Sequence, residues 1–235
     1  MFKEYIKAFA NTLFPKICLY CEKKISKGYL CTVCYKKIFF IKPPLCIYCS
    51  SPINHTPNNI CKKCTNKLYP YDKIISITAY KEPMITLIHY FKYKNYDFLA
   101  KFLSSLMSEH LLNSGFNLNE YDFITSVPAH PTRLKERGYN QAELLGKLLS
   151  NSFKIPFKNG IINAKIIKPS QTILHKAERE INVKGSFGVK ERMMNKKIIL
   201  VDDIVTTGST IKVISEALKE KGADNVTVIT LSKTL

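Results

Sequence analysis

All eight cysteines of the 235-residue chain fall in Cys-x-x-Cys pairs: Cys18 with Cys21, Cys31 with Cys34, Cys46 with Cys49, and Cys61 with Cys64. Two residues between thiolates make a knuckle that turns both sulfurs onto one tetrahedral Zn2+ at about 2.3 Å, and two knuckles complete a four-cysteine site. The stretches "CLYCEKKISKGYLCTVC" and "CIYCSSPINHTPNNICKKC" repeat one another, the second with a two-residue insertion between its pairs. The repeat favours one zinc on the first four cysteines and another on the last four, over a cross-braced arrangement. Four disulfides are the competing account, which a reducing cytosol disfavours. His55 lies between knuckles and could ligate, although each set of four is complete without it. With no coordination position open, the two ions are structural. A segment of about 50 residues with few large apolar side chains needs the metal to fold.

A second constellation is "ILVDDIVTTGST", residues 199 to 210. Thr206, Thr207, Gly208, Ser209 and Thr210 precede or open a helix, where free backbone N–H groups, hydroxyls and the helix dipole suit a phosphate. The Gly-Lys-Ser/Thr ending of a nucleoside-triphosphate loop is missing. Asp202 and Asp203 would repel a bare polyphosphate, but they fit a sugar phosphate whose hydroxyls, or a Mg2+ bound to them, reach back to the carboxylates.

The elements that must position these groups read as α/β. Apolar, strand-like runs at 73–80, 123–127, 161–167, 196–201 and 225–231 alternate with helical patterns. Pro83 opens one helix, Asp97 is a plausible cap for another over 97–113 with Gly115 just beyond it, and further helices follow at 140–150 and 209–222. Strand, helix, strand at this spacing predicts a parallel sheet with helices on both faces. Ligands on such sheets bind at the carboxyl ends of strands, where residues 202–210 fall. The predicted organisation is an amphipathic helix over 1–15, a double zinc ribbon over 16–70, and an α/β domain over 71–235. In the first of these, Phe2, Ile6, Phe9 and Leu13 recur at helical spacing, which suits docking on the protein itself better than on a membrane.

The formal charge is +18, densest in the first 72 residues, where 12 lysines face three acids. Such a surplus favours an anionic partner, against the plainer account of a coding bias toward Lys, Asn and Ile. Even with eight thiolates and two zinc ions counted, the ribbon part stays at about +5. Its lysines, interleaved with Tyr20, Tyr29, Tyr35, Tyr48 and Tyr69, could track a single strand through phosphate contacts and base stacking; a packing adaptor with solvated lysines explains them equally well. Lys3, Glu4, Lys7 and Asn11 interrupt any secretory apolar run, and nothing approaches a membrane span of about 20 residues. A cytoplasmic protein is expected.

"IILVDDIVTTGST" closely resembles the 5-phosphoribosyl-1-diphosphate (PRPP) motif of type I phosphoribosyltransferases. Together with the double zinc ribbon, "SVPAHPTRLKERGYNQAELL" and "QTILHKAEREINVKGSF" narrow the resemblance to the ComF family of competence-associated proteins, over essentially the whole chain. The resemblance implies a type I phosphoribosyltransferase-like parallel sheet behind the zinc ribbon. It also implies that Asp202 and Asp203 lie by the ribose hydroxyls, that the Thr206–Thr210 loop holds the 5-phosphate, and that residues 126–131, with Pro128, Ala129 and His130, face the diphosphate. Arg133 and Arg137 would neutralise that diphosphate. Gln171, Lys176, Arg179, Asn182 and Lys184 would belong to a loop covering the ligand, with Arg179 joining Asp202, Asp203 and Arg137 in catalysis. For the bare sequence, an exposed helix charge at Arg179 and a turn at Arg137-Gly138 remain open. The implied role is DNA uptake in natural transformation, with Mg2+-PRPP and single-stranded DNA as ligands and a competence helicase as partner. The same resemblance adds the inner membrane face as a peripheral location. A phosphoribosyltransferase active in nucleotide or cofactor metabolism is the alternative.

Overall fold

A computed structural model describes residues 16–54, 56, 58–164 and 186–235. The N-terminal helix expected over 1–15, His55, and the covering-loop residues Gln171, Lys176, Arg179, Asn182 and Lys184 lie outside the described residues.

In chain order the elements are α1 (Thr32–Lys36), β1 (Lys73–Ala79), α2 (Met84–Tyr93), α3 (Leu99–Asn113), a 3-10 turn (Leu118–Glu120), β2 (Phe123–Ser126), α4 (Pro131–Arg137), α5 (Gln141–Phe153), β3 (Ile162–Ala164), β4 (Phe187–Val189), β5 (Lys197–Val205), α6 (Ser209–Glu220) and β6 (Asn225–Lys233). Four strands form one sheet in the order β1-β6-β5-β2, and every pairing in it is parallel. The apolar run Ile198–Val201 of β5 and the burial of β6 at every position from Val226 to Lys233, its threonines and serine included, are what a sheet covered on both faces requires.

Alternation along the strands sorts their side chains into two cores. Ile75, Ile77, Ile124, Ile199, Val201, Ile229 and Leu231 face α2, α3 and α5 through Leu87, Ile88, Leu103, Leu106, Leu145 and Leu149. Ile74, Phe123, Ile198, Leu200, Val226 and Val228 face the other way, onto Ile211, Ile214 and Leu218 of α6. Each fully buried side chain of this size is worth about 1.5–3 kcal/mol of transfer free energy.

The cysteine-rich segment straddles the outer edge of β1. Cys18, Leu30, Cys34 and Ile38 of the first ribbon join the core on the α2–α3–α5 side. Tyr48, Tyr69 and Tyr71 of the second pack with the α6 side. Between them, Phe40 bridges Thr78 antiparallel. The Ile41 N–H donates to the Ile77 carbonyl and the Ala79 N–H to the Phe39 carbonyl, both at 2.9 Å. Ile74 N–H donates to Ile47 O at 2.8 Å and Ser76 N–H to Ser50 Oγ at 3.0 Å, so the edge amides that would otherwise invite another chain are paired.

Two sequence expectations change, and one helix is new. The run at 161–167 is not a strand of the main sheet; its described part, Ile162–Ala164, pairs antiparallel with Phe187–Val189 in a separate two-stranded sheet. Asn163 is exposed between its neighbours, which a strand buried on both faces would not allow. Asp97 is not the cap of α3: Phe98 occupies that position and no side chain bonds there. The segment 131–137 is a helix, with Pro131 preset for the first turn and Gly138 closing it at φ 74°.

Candidate functional site

Within each predicted zinc set, the four sulfurs, of Cys18, Cys21, Cys31 and Cys34 in one and of Cys46, Cys49, Cys61 and Cys64 in the other, lie within 4.8 Å of one another. All eight are free thiols. Cys21 and Cys31 sulfurs are 3.7 Å apart, as are those of Cys49 and Cys61. A tetrahedron of sulfurs about 2.3 Å from Zn2+ has edges of about 3.8 Å, whereas a disulfide needs about 2.05 Å. The residues therefore fit two structural zinc sites of four cysteines each, paired sequentially. Outer-shell donors are in place: Cys34 N–H to Cys31 Sγ at 3.4 Å, Cys61 N–H to Cys46 Sγ at 3.3 Å, and the Tyr69 hydroxyl to Cys64 Sγ at 3.1 Å. Burial, then hydrogen bonding among neighbouring thiols, pushes the Cys34 thiol up to about 12. A thiol so placed becomes a thiolate when a cation shares its cage.

The second site is a cleft of about 870 Å³ beyond the carboxyl ends of β2 and β5. Of the residues singled out from the sequence, Pro128, Ala129, His130, Arg133, Arg137, Asp202, Asp203, Thr206 and Thr210 line it. Thr207, Gly208 and Ser209 shape its loop without being among the lining residues. Gly208 caps α6 at φ 77°, in the left-handed region that a side chain resists. Thr207 and Ser209 hydroxyls are 2.9 Å apart across that turn. Thr206 and Thr207 are exposed, and the α6 N-terminus presents its N–H groups beside them.

The two acids differ in circumstance. Asp203 is 7% exposed, and its Oδ2 is 2.9 Å from Lys92 Nζ. Asp202 is half-buried, and its Oδ1 accepts the Asp203 N–H at 2.8 Å. Loss of solvent, then the neighbouring Asp203 charge, pushes the Asp202 carboxyl up to about 8, with only partial relief from the Asp203 amide and Lys92. A carboxyl held up in this way suits an arriving cation or a ring of hydroxyl donors, so the acids fit Mg2+ as well as a ribose.

The Arg-Gly-Tyr-Asn-Gln run at 137–141 builds the opposite wall. Arg137 lies 4.8 Å over the Tyr93 ring, with Nη1 donating to Gln141 Oε1 at 3.2 Å, while its Nε has no partner among the described residues. The Tyr139 hydroxyl donates to the Phe91 carbonyl at 2.5 Å, and Gln141 Nε2 reaches the same oxygen at 3.5 Å. Asn140 caps α5 by accepting the Ala142 N–H at 3.1 Å, and its Nδ2 donates to Val127 O at 2.9 Å, which ties the helix to the end of β2. His130 is spent in part on local structure, since its Nδ1 accepts the Thr132 N–H at 3.3 Å and caps α4. Arg133 is exposed at the rim.

Sequence reasoning missed Lys92, Tyr80 and Phe187, all of which line the cleft. Lys92 carries no local signal: it is one of many lysines, placed on a helix whose apolar stripe is its only pattern.

Residues 9–65 match a family model described as double zinc ribbon domain, and residues 141–234 match one described as phosphoribosyl transferase domain. Competence protein F of Haemophilus influenzae is 31% identical over 223 residues, 92% of this chain and 96% of its own. DNA utilization protein YhgH of Escherichia coli K12 is 30% identical over 225 residues, 94% of this chain and 98% of its own. Competence protein ComFC of Streptococcus pneumoniae is 29% identical over 157 residues, 66% of each chain. Among solved structures, a purine phosphoribosyltransferase from Pyrococcus horikoshii is 20% identical, covers 57% of this chain and 80% of its own, and aligns with a TM-score of 0.34. Paired four-cysteine ribbons, a parallel phosphoribosyltransferase-like sheet and near-complete coverage of relatives at about 30% identity lead to one statement: the chain belongs to the ComF family of competence-associated proteins.

Proposed function

We propose that this protein handles single-stranded DNA during DNA uptake and carries a sugar-phosphate site of the Mg2+-PRPP type. The names of its relatives, competence and DNA utilization proteins, support the process. The observation that carries the strand-binding part is a series of ring contacts running from the first ribbon to the cleft. Tyr35 meets Phe102, Phe102 meets Tyr29, and Tyr29 stacks on Phe98 with centroids 5.5 Å apart. Phe98 meets Tyr96 at 4.9 Å, Tyr96 stacks on Tyr90 at 5.2 Å, and His89 continues to Tyr93, over which Arg137 sits. Phe98 and Tyr93 are 46% and 60% exposed, and the exposed Lys94 and Lys101 fall between members of the series in sequence. The exposed rings of Tyr93 and Phe98, supported from behind by the partly buried rings and with cations beside them, are the kind of surface a sequence-tolerant strand binder needs.

In the cleft, the Thr206–Thr210 loop takes the 5-phosphate, Asp202 and Asp203 take the ribose hydroxyls, and Arg133 and Arg137 take the diphosphate. When bound, Mg2+ supplies positive charge to that diphosphate and orients the ribose oxygens. A competence helicase is the expected protein partner, and the cytoplasm the expected location; no helix among the described residues is long and apolar enough to cross a membrane.

The test is an oligothymidine titration across salt. Affinity should fall with a log–log slope of roughly −0.7 per phosphate neutralised, and Tyr93→Ala should cost about 1–3 kcal/mol of binding. Failure to bind at low salt would exclude the strand-binding reading.

The cleft's volume of about 870 Å³ favours a second reading, in which an acceptor nitrogen enters beside Tyr80 and Phe187. Its lone pair forms the bond to ribose C1 as the C1–O bond breaks, diphosphate leaves with the electron pair, and the acceptor N–H proton passes to water. Release of diphosphate from PRPP, followed by phosphorus NMR with a panel of nucleobases, distinguishes this activity from simple binding.

A further inference from the structure

The ion pair between Lys92 and Asp203 is unusual in its setting. Both side chains are largely buried, at 18% and 10% exposure, and the pair sits inside the cleft rather than beneath it. Removing two charges from water costs several kcal/mol per ion before their attraction offsets it, so a packing role alone would be better filled by apolar groups.

The fold also fixes where Lys92 starts from. Phe91, its neighbour on α2, is fully buried, and the Phe91 carbonyl receives both the Tyr139 hydroxyl and Gln141 Nε2. Two residues of the 137–141 run thereby pin the backbone from which the ammonium reaches Asp203. That ammonium has three donors and no acceptor. One donor serves Asp203, and no second partner of the ammonium is found among the described residues, so an oxygen entering the cleft has donors to meet.

Resting on the sugar-phosphate reading above, we propose that Lys92 is the resident cation of this site. Its ammonium neutralises Asp203 in the place a divalent ion would take, and it bonds the oxygens of a bound ribose phosphate directly. A phosphorylated sugar without a diphosphate is then held without Mg2+. The divalent ion is required for ligands that bring a diphosphate of their own. Arg137 does not substitute for Lys92, because among the described residues its guanidinium pairs with neither acid and is held instead by its contacts with Gln141 and the Tyr93 ring.

The experiment measures ribose 5-phosphate binding to the zinc-loaded full chain by calorimetry, in Mg2+-free buffer made without chelator and again with Mg2+. The wild type should bind equally in both. Lys92→Met should bind about tenfold or more weakly without Mg2+, the loss of one hydrogen bond to a charged group, and should recover when Mg2+ is added. Lys92→Arg, which keeps the charge and guards against a folding defect in the Met variant, should remain insensitive to Mg2+. As a second readout, water-proton relaxation should show Mn2+ binding to Lys92→Met in the absence of sugar, and not to the wild type. Strict Mg2+ dependence in the wild type, or identical behaviour of wild type and Lys92→Met, would overturn the role of Lys92 while leaving the sugar-phosphate site intact. If the wild type binds no ribose 5-phosphate under either condition, the site reading falls and takes this inference with it.

Discussion

Asp202 and Asp203 are neighbours in one strand with opposite electrostatic fates. Asp203 has a cation 2.9 Å away, whereas Asp202 has a backbone N–H and a negative neighbour. With its carboxyl pushed from the ordinary 3.8 up to about 8, Asp202 is more readily protonated in the fold than in the unfolded chain. Its contribution to stability is therefore full below the ordinary carboxylate range and is lost as pH rises toward 8. Asp202→Asn should raise the melting temperature of the ligand-free protein at pH 8 and flatten its pH dependence between about pH 4 and 8. The expected gain is at least about 1 kcal/mol, the worth of a single pKa unit. The same variant should weaken sugar-phosphate binding. Calorimetric melts across pH check the first outcome, and a lower melting temperature for the variant at pH 8 would contradict it. The paired acids and the Thr-Thr-Gly-Ser-Thr run were legible in the sequence because they are contiguous. Lys92 was not, since its partner lies on a different element and nothing local marks the contact.

At the scale of elements, the left-handed turn at Gly208 joins β5 to α6. A Cβ there would meet only Val205 Cγ2, at the ordinary contact distance of 3.8 Å, so the obstacle to substitution is conformation and not space. Gly208→Ala should cost about 1–2 kcal/mol, visible in chemical denaturation, and should weaken sugar-phosphate binding by tilting the α6 N–H groups. Gly138→Ala is the useful control. It has the same kind of φ, +74°, and open space around it, but it closes α4 instead of the phosphate loop, so it should show the stability loss with a smaller effect on the ligand. The strands β5 and β6 and the helix α6 could be read from apolar runs and periodicity because their burial is repetitive. The short helix α4 could not, since all its residues but Arg137 are exposed and it offers no apolar stripe. β3 read as a strand from its own residues, but its separation from the main sheet depends on β4, which lies beyond residues 165–185 in the chain.

For the whole molecule, the spacing of eight cysteines announced two metal sites but not what they rest on. Cys18 and Cys34 share a core with α2, α3 and α5, and Tyr69 joins Cys64 on one side to the α6 face on the other. Lys212 of α6 lies 5.2 Å over the Tyr69 ring, which adds a cation-π contact between the second ribbon and the helix behind the phosphate loop. Zinc removal should therefore not melt the ribbons alone. A strong thiol-competing chelator should lower the melting temperature of the entire chain, with the aromatic and far-ultraviolet dichroism signals lost in one transition. Two well-separated transitions would show that the ribbons and the sheet fold independently.

The strand order β1-β6-β5-β2 has a consequence for how the chain is made. Synthesis is vectorial, and the strand that unites the sheet, β6, follows all the others. Until residues 225–233 have left the ribosome, β1 and β5 have no common neighbour in the sheet, and the edge that each turns toward β6 must wait, although α2, α3 and α5 are already available to one face of both. By then the ribbons have long since emerged and can take up zinc, and the segment between them can already cover the outer edge of β1. Only inward-facing edges remain to be paired. The segment between the ribbons thus leaves β1 only its inward edge for β6 to pair with, and an unpaired outer edge is what an incomplete parallel sheet would otherwise offer to another chain.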